Sequence, residues 1–144
     1  MNYNSGINQY KKVNAQSLRT APPQEVVRML LSGAMDKIAF AKGAIEREHF
    51  LDRQQNIRGA RQIIDALRSA LNMDEGGGVA DNLDELYDYM VRRLFDANKT
   101  ADIDALDEVH ELLGELKTGW DQVCEQHRGS QDELAASSMV IGTA

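Results

Sequence analysis

The side chains suited to catalysis or metal binding are few: three histidines, His49, His110 and His127, one cysteine, Cys124, and 23 acidic residues. Glu46 and His49 are three apart, a spacing that would set a carboxylate and an imidazole on one side of a helix. A bundle that holds a metal pair this way takes two such pairs and two further inward glutamates. The nearest second pair is Asp107 with His110, Glu46 falls where a helix is predicted to end, and no further set is visible. Cys124, being single, forms no internal disulfide and no site of two or four thiolates, and reads as a small buried apolar side chain. There is no Gly-x-Gly-x-x-Gly, and Gly76-Gly77-Gly78 lacks the following lysine and hydroxyl residue of a phosphate loop. The sequence therefore predicts no catalytic residue, no metal and no cofactor, and what remains for it to work with is non-covalent: surface, shape and charge.

Composition narrows the classes further. A chain of 144 residues suits one domain with one core. With 42% hydrophobic and 27% charged residues it reads as globular. No apolar run approaches the ~20 residues of a membrane span, so no membrane insertion is expected. A formal charge of −7 without a basic cluster argues against nucleic acid, whose binding depends on Lys and Arg neutralising phosphates. The opening residues, Met1-Asn2-Tyr3-Asn4-Ser5-Gly6, have neither the basic nor the apolar stretch of a secretory signal, so a cytoplasmic location is expected.

Four segments between Pro23 and His127 repeat apolar residues every three or four positions, and almost nothing reads as strand. The first carries Val27, Leu31, Ala34, Ile38, Ala41 and Ile45, and the second Ile57, Ala60, Ile64, Leu67 and Leu71. The third carries Leu83, Leu86, Met90, Leu94 and Ala97, and the fourth Leu106, Val109, Leu113, Leu116, Trp120 and Val123. Four such stripes joined by short breaks predict an all-α, antiparallel four-helix bundle with up-down-up-down order. Pro22-Pro23 can open the first helix, the Gly76–Gly78 run can turn the chain between the second and third, and Asp102 can cap the fourth. The bundle is expected over residues 21–128. Residues 1–20 form a polar N-terminal arm with scattered apolar residues, among them Ile7 and Tyr10, and residues 129–144 a flexible C-terminal tail.

The third segment holds more apolar surface than one core stripe requires. Beside that stripe runs a second row, Tyr87, Val91, Phe95 and Asn98. On the second segment Ile57 and Ile64 lie a heptad apart with Ile63 beside them. Both sets fit a groove that receives a partner helix, and both equally fit a core face widened by two neighbours. Met29, Met35, Met73 and Met90 read as core filler, with a second use as an adaptable binding surface.

The stretch from Leu86-Tyr87-Asp88-Tyr89-Met90 to Leu94-Phe95-Asp96-Ala97-Asn98 resembles the most recognisable part of the FliS family of flagellin chaperones. Tyr10-Lys11-Lys12-Val13 with Thr20-Ala21-Pro22-Pro23 is similar to that family's start, and Gly33-Ala34, Ile63 to Asn72 and Trp120 agree with it. The resemblance covers residues 7–123. Pro22 replaces the serine that commonly caps the first helix, and Ser32 a common tyrosine. The resemblance implies a cytosolic export chaperone whose partners are the C-terminal segment of flagellin and a subunit of the flagellar export gate. It also implies that Ile7 and Tyr10 belong to an arm that covers the client groove when empty and meets the export gate when client is bound.

Two rivals come from other classes. His110-Glu111-Leu112-Leu113-Gly114 is faintly similar to the phosphoacceptor segment of a histidine phosphotransfer domain, but Leu113 stands where that family has a lysine. A dimeric helical scaffold also shows spare apolar stripes, which keeps a homodimer open.

Overall fold

The computed structural model describes residues 22–71 and 73–142, with side chains from 22–71 and 77–126. The arm expected at 1–20, and with it Ile7 and Tyr10, lies outside the described residues. Four helices follow in order: α1 (Pro23–Glu46), α2 (Phe50–Ser69), α3 (Met73–Thr100) and α4 (Ile103–Gly142). Among the described residues there is no strand. Each helix packs against the next, and α4 returns to close against α1, so the antiparallel up-down-up-down bundle expected from the stripes is the fold.

The core is that set of stripes meeting on the axis. Leu31, Ile38, Ile64, Met90, Leu94, Leu106, Val109 and Leu113 are its largest fully enclosed side chains, and burying one of this size contributes about 1.5–3 kcal/mol. The seams differ in tightness. α1 buries Ala34, Ala41 and Ala44, and α2 buries Ala60. Small side chains let these two helices approach until a methyl at Gly59 would lie 3.2 Å from Lys37 Cδ and one at Gly33 3.5 Å from Ile63 Cδ1. The seams on either side of α3 are sparser than those of α1.

The ends follow local chemistry. Pro23 sits at the first helical position, where its missing N–H is no loss. Pro22 has no hydroxyl to cap with, and its carbonyl instead accepts the amides of Glu25 and Val26, each at 3.0 Å. Trp120 Nε1 donates to the Gln24 carbonyl at 2.8 Å, tying α4 to this first turn. α1 and α3 both end in a residue with positive φ, Glu48 at 58° and Ala101 at 54°. In each case the next amide reaches back into the last turn: His49 N to Ala44 O at 2.8 Å and Asp102 N to Ala97 O at 3.1 Å. A side chain in that region costs about 1–2 kcal/mol, and at the second turn Asp102 opposes the cost by accepting the Ala105 amide at 3.3 Å. Asp102→Ala is accordingly expected to lower stability by about 1 kcal/mol, read from urea unfolding; an unchanged midpoint would mean that the cap contributes nothing.

Two expected boundaries shift. The glycine run does not precede α3 but lies inside its bounds, where Gly77 (φ 53°, ψ −136°) breaks the helix near its start. Those angles belong to a region open essentially to glycine, so the backbone turns there because no Cβ forbids it. At the other end, α4 passes the boundary expected at residue 128 and its backbone stays helical to Gly142. The ion pairs Arg28–Asp121 (3.2 Å) and Lys42–Asp107 (2.9 Å) set α1 and α4 in register. Pro23 then lies level with residue 126, and residues 127–142 run on past the start of α1.

Candidate functional site

α3 presents three faces. Toward the axis it buries Tyr87, Met90, Leu94 and Ala97. Toward α4, Tyr89 Oη and Arg93 Nε both donate to Glu108 Oε1, the second at 3.3 Å, and the bond to Glu108 raises the Tyr89 phenol above its ordinary value. Toward α2, Arg68 donates to Asp84 through Nε at 2.6 Å and through Nη2 at 3.3 Å, and to Asp88 through Nη1 at 3.3 Å. These bonds fix how α2 and α3 slide against each other.

Arg68 also gives the fold an acid-sensitive contact. Its hydrogen bonds hold the Asp84 carboxyl below the ordinary aspartate range, with partial desolvation opposing them. A carboxyl lowered in the folded state stabilises the protein above its unfolded pKa, and that contribution is lost as pH falls through the folded value. Arg68→Ala should therefore destabilise most at neutral pH, with the gap from wild type closing on the acid side. Thermal melts across pH test this, and a pH-independent gap would assign the effect to lost packing.

Below that clamp the α2-facing row of α3 continues as Val91, Phe95 and Asn98 toward the end of the bundle that holds both tight turns. Val91 is half-buried against the core, whereas Phe95 is 65% exposed. Asn98 is half-buried with its Oδ1 enclosed and without a hydrogen-bond partner. The three residues expected beside them sit elsewhere. Tyr87 is only 5% exposed, and Ile57 and Ile64, at 3% and 0%, are core residues and not walls of an open groove. Their spacing matches the axis-facing stripe of α2, where α3 and α1 both cover them.

The structure adds residues that the stripe pattern passed over. Phe50 and Leu51, at the start of α2, are 55% and 69% exposed, and the Arg53 guanidinium lies over the Phe50 ring, 4.6 Å from its centroid. Arg53 Nε is enclosed without a partner, as Asn98 Oδ1 is. One signal was available: two adjacent large apolar residues stand about 100° apart on a helix, so a single core stripe does not enclose both fully. With Arg68 setting the register, Phe50 and Leu51 lie at the two-turn end of the α2–α3 seam, about 12 Å along the axis from the level of Phe95.

The remaining reactive groups do not converge. His49 stands in the turn after α1, past the left-handed Glu48, so it shares no helix face with Glu46, and its Nδ1 lies 3.4 Å from Asp52 Oδ2. Asp107 is paired with Lys42 on the α1 side, outside the core. His110 is half-buried on α4, and the His127 side chain lies outside the described residues. Among the described residues no three His, Cys, Asp or Glu side chains cluster as metal ligands would, and no helix is long and apolar enough to cross a membrane. The arrangement can bury another chain's apolar side chains along α2 and α3.

Residues 6–127 match the family described as "Flagellar protein FliS". A protein of Vibrio cholerae named flagellar secretion chaperone FliS is 40% identical over 115 residues, which span 79% of this chain and 85% of that one. The flagellar secretion chaperone FliSB of Pseudomonas aeruginosa is 41% identical over 118 residues, 81% and 94% of the two chains. A crystal structure described as that of a flagellar chaperone from bacteria superposes with a TM-score of 0.68 at 16% identity, covering 84% of this chain and 98% of that one, and it supports the fold.

Proposed function

We propose that this chain, which belongs to the FliS family of flagellar secretion chaperones, binds the C-terminal segment of flagellin in the cytosol, keeps it from polymerising and hands it to a subunit of the flagellar export gate. The family is one of named chaperones and not of enzymes. Membership makes a protein client the starting point. The observation that carries the finer reading is the α2–α3 seam, where Phe95, Leu51 and Phe50 stay more than half exposed beside a core that needs none of them.

A free amphipathic segment is prone to self-association until its apolar face is covered. A seam between two helices covers such a face by the helix-in-groove mode, with Phe95 as the central anchor and Val91 as the floor. The arm bearing Ile7 and Tyr10 is assigned to covering this seam before client arrives and to the export gate afterwards.

Calorimetric titration with a C-terminal flagellin segment tests the reading. Saturable binding with a negative heat-capacity change is expected, as for a partner that buries apolar surface. Absence of binding would sink the flagellin assignment.

A further inference from the structure

The chain is acidic, but its charge is not evenly spread. Residues 50–61, the first twelve of α2, hold three arginines against one aspartate, and residues 91–100, the last ten of α3, hold two arginines and one lysine against one aspartate. These segments face each other in the antiparallel bundle, so the two-turn end of their seam is a basic region in a chain of net charge −7. Some of this charge is already used: Arg93 pairs with Glu108 on the α4 side, Arg61 with Asp65 and Arg92 with Asp88. Arg58 and Lys99 are exposed and have no carboxylate within 4.0 Å among the described residues. Helical spacing puts Arg58 level with Phe95 across the seam, and Lys99 one turn beyond Phe95 on its own helix. Arg92 also keeps its side chain 69% exposed.

We infer that the two-turn end of the α2–α3 seam is a docking surface for an acidic segment bearing large apolar side chains. The occupant lays those side chains on Phe95 and Leu51 and sets its carboxylates against Arg58, Arg92 and Lys99. This rests on the reading of the seam as the client site and adds the charge of what enters it. The complementarity acts on two levels. Charges at a rim speed encounter and reject a basic competitor, while the exposed aromatic and leucine supply the area that a stable contact needs. A basic segment of the same apolar spacing meets uncompensated guanidinium and ammonium groups and is turned away.

The test uses the full chain and two synthetic helix-forming peptides with identical apolar positions, one flanked by glutamates and one by lysines. The glutamate peptide is expected to bind, to weaken as salt rises, and to lose tenfold or more in affinity for the double variant Arg58→Glu/Lys99→Glu. Lys37→Glu/Lys117→Glu, which changes net charge equally on α1 and α4 and breaks no ion pair among the described residues, should leave that affinity unchanged. Phe95→Ala, which alters no charge, should weaken it as well. The inference fails if the two peptides bind the wild type alike, if neither binds, or if the Arg58/Lys99 variant holds the glutamate peptide unchanged while remaining helical by circular dichroism. A C-terminal flagellin segment separates the two readings. If it binds wild type and the reversed variant equally, the charge assignment is overturned and the chaperone function stands. If the glutamate peptide binds and the flagellin segment does not, only the flagellin assignment falls.

Discussion

Phe95→Asp is expected to weaken binding of a C-terminal flagellin segment about thirtyfold or more while leaving the unfolding free energy within about 0.5 kcal/mol of wild type. The ring is 65% exposed in the free protein, so its removal leaves no cavity and an aspartate in its place stays in water. In the proposed complex the same position would be an aromatic anchor at the centre of the seam. Losing such an anchor typically costs 2 kcal/mol or more, and each ~1.4 kcal/mol is a factor of ten. Val91 is the poorer probe, because it packs against the core and a charge there disturbs folding as well as binding. Calorimetry for affinity and urea unfolding for stability separate the two effects. Affinity retained by a folded Phe95→Asp protein would remove the α2–α3 seam as the client site.

The adjacent residue should behave in the opposite way. Leu94 is fully enclosed among Ile64, Met90, Ala97 and the other core residues. Leu94→Ala is expected to cost about 2–5 kcal/mol in urea unfolding, the sum of lost transfer energy and the cavity left behind. Against a typical domain stability of about 5–15 kcal/mol that is a large fraction. At temperatures where the variant remains folded, its affinity for the flagellin segment should stay close to wild type, because Leu94 offers no surface to a partner. A loss below about 1 kcal/mol would mean that α3 is not packed as described. The pair is a sharp test, since one step along the chain turns the side chain by about 100°.

The same geometry explains what could be read from the residues alone. The core stripes were legible because Leu31, Ala34, Ile38 and Ala41, like Met90, Leu94 and Ala97, recur at three and four, and all of them are buried. The second row on α3 was legible as a surplus but not as to which members are free. A step of four advances about 40° around a helix of 3.6 residues per turn, so Tyr87, Val91 and Phe95 swing progressively outward, from buried to half-buried to exposed. Asn98, three further on, swings back toward the axis. Ile57 and Ile64 repeat by seven, the period of a core face as much as of a groove wall, and only the placement of neighbours decides between them.

Phe50 and Leu51 carried a weaker signal, lying before the repeating part of their helix. Beyond residue 128, the small residues that suggested a tail stand beside glutamate and leucine and include alanine, all of which favour helix in the absence of packing, and the backbone of α4 continues through them to Gly142. The glycine run announced a break but not its place. A break after α3 has begun requires only the single glycine whose φ is positive, Gly77.

α4, at 40 residues, is longer than the bundle it completes. Sixteen of those residues pass the level of Pro23 and extend about 24 Å further at 1.5 Å per residue. The level of Phe95 falls near the opposite end of α4, roughly 35–57 Å away along the axis. A partner that touched the projecting turns would therefore stand clear of whatever occupied the α2–α3 seam, and neither would block the other.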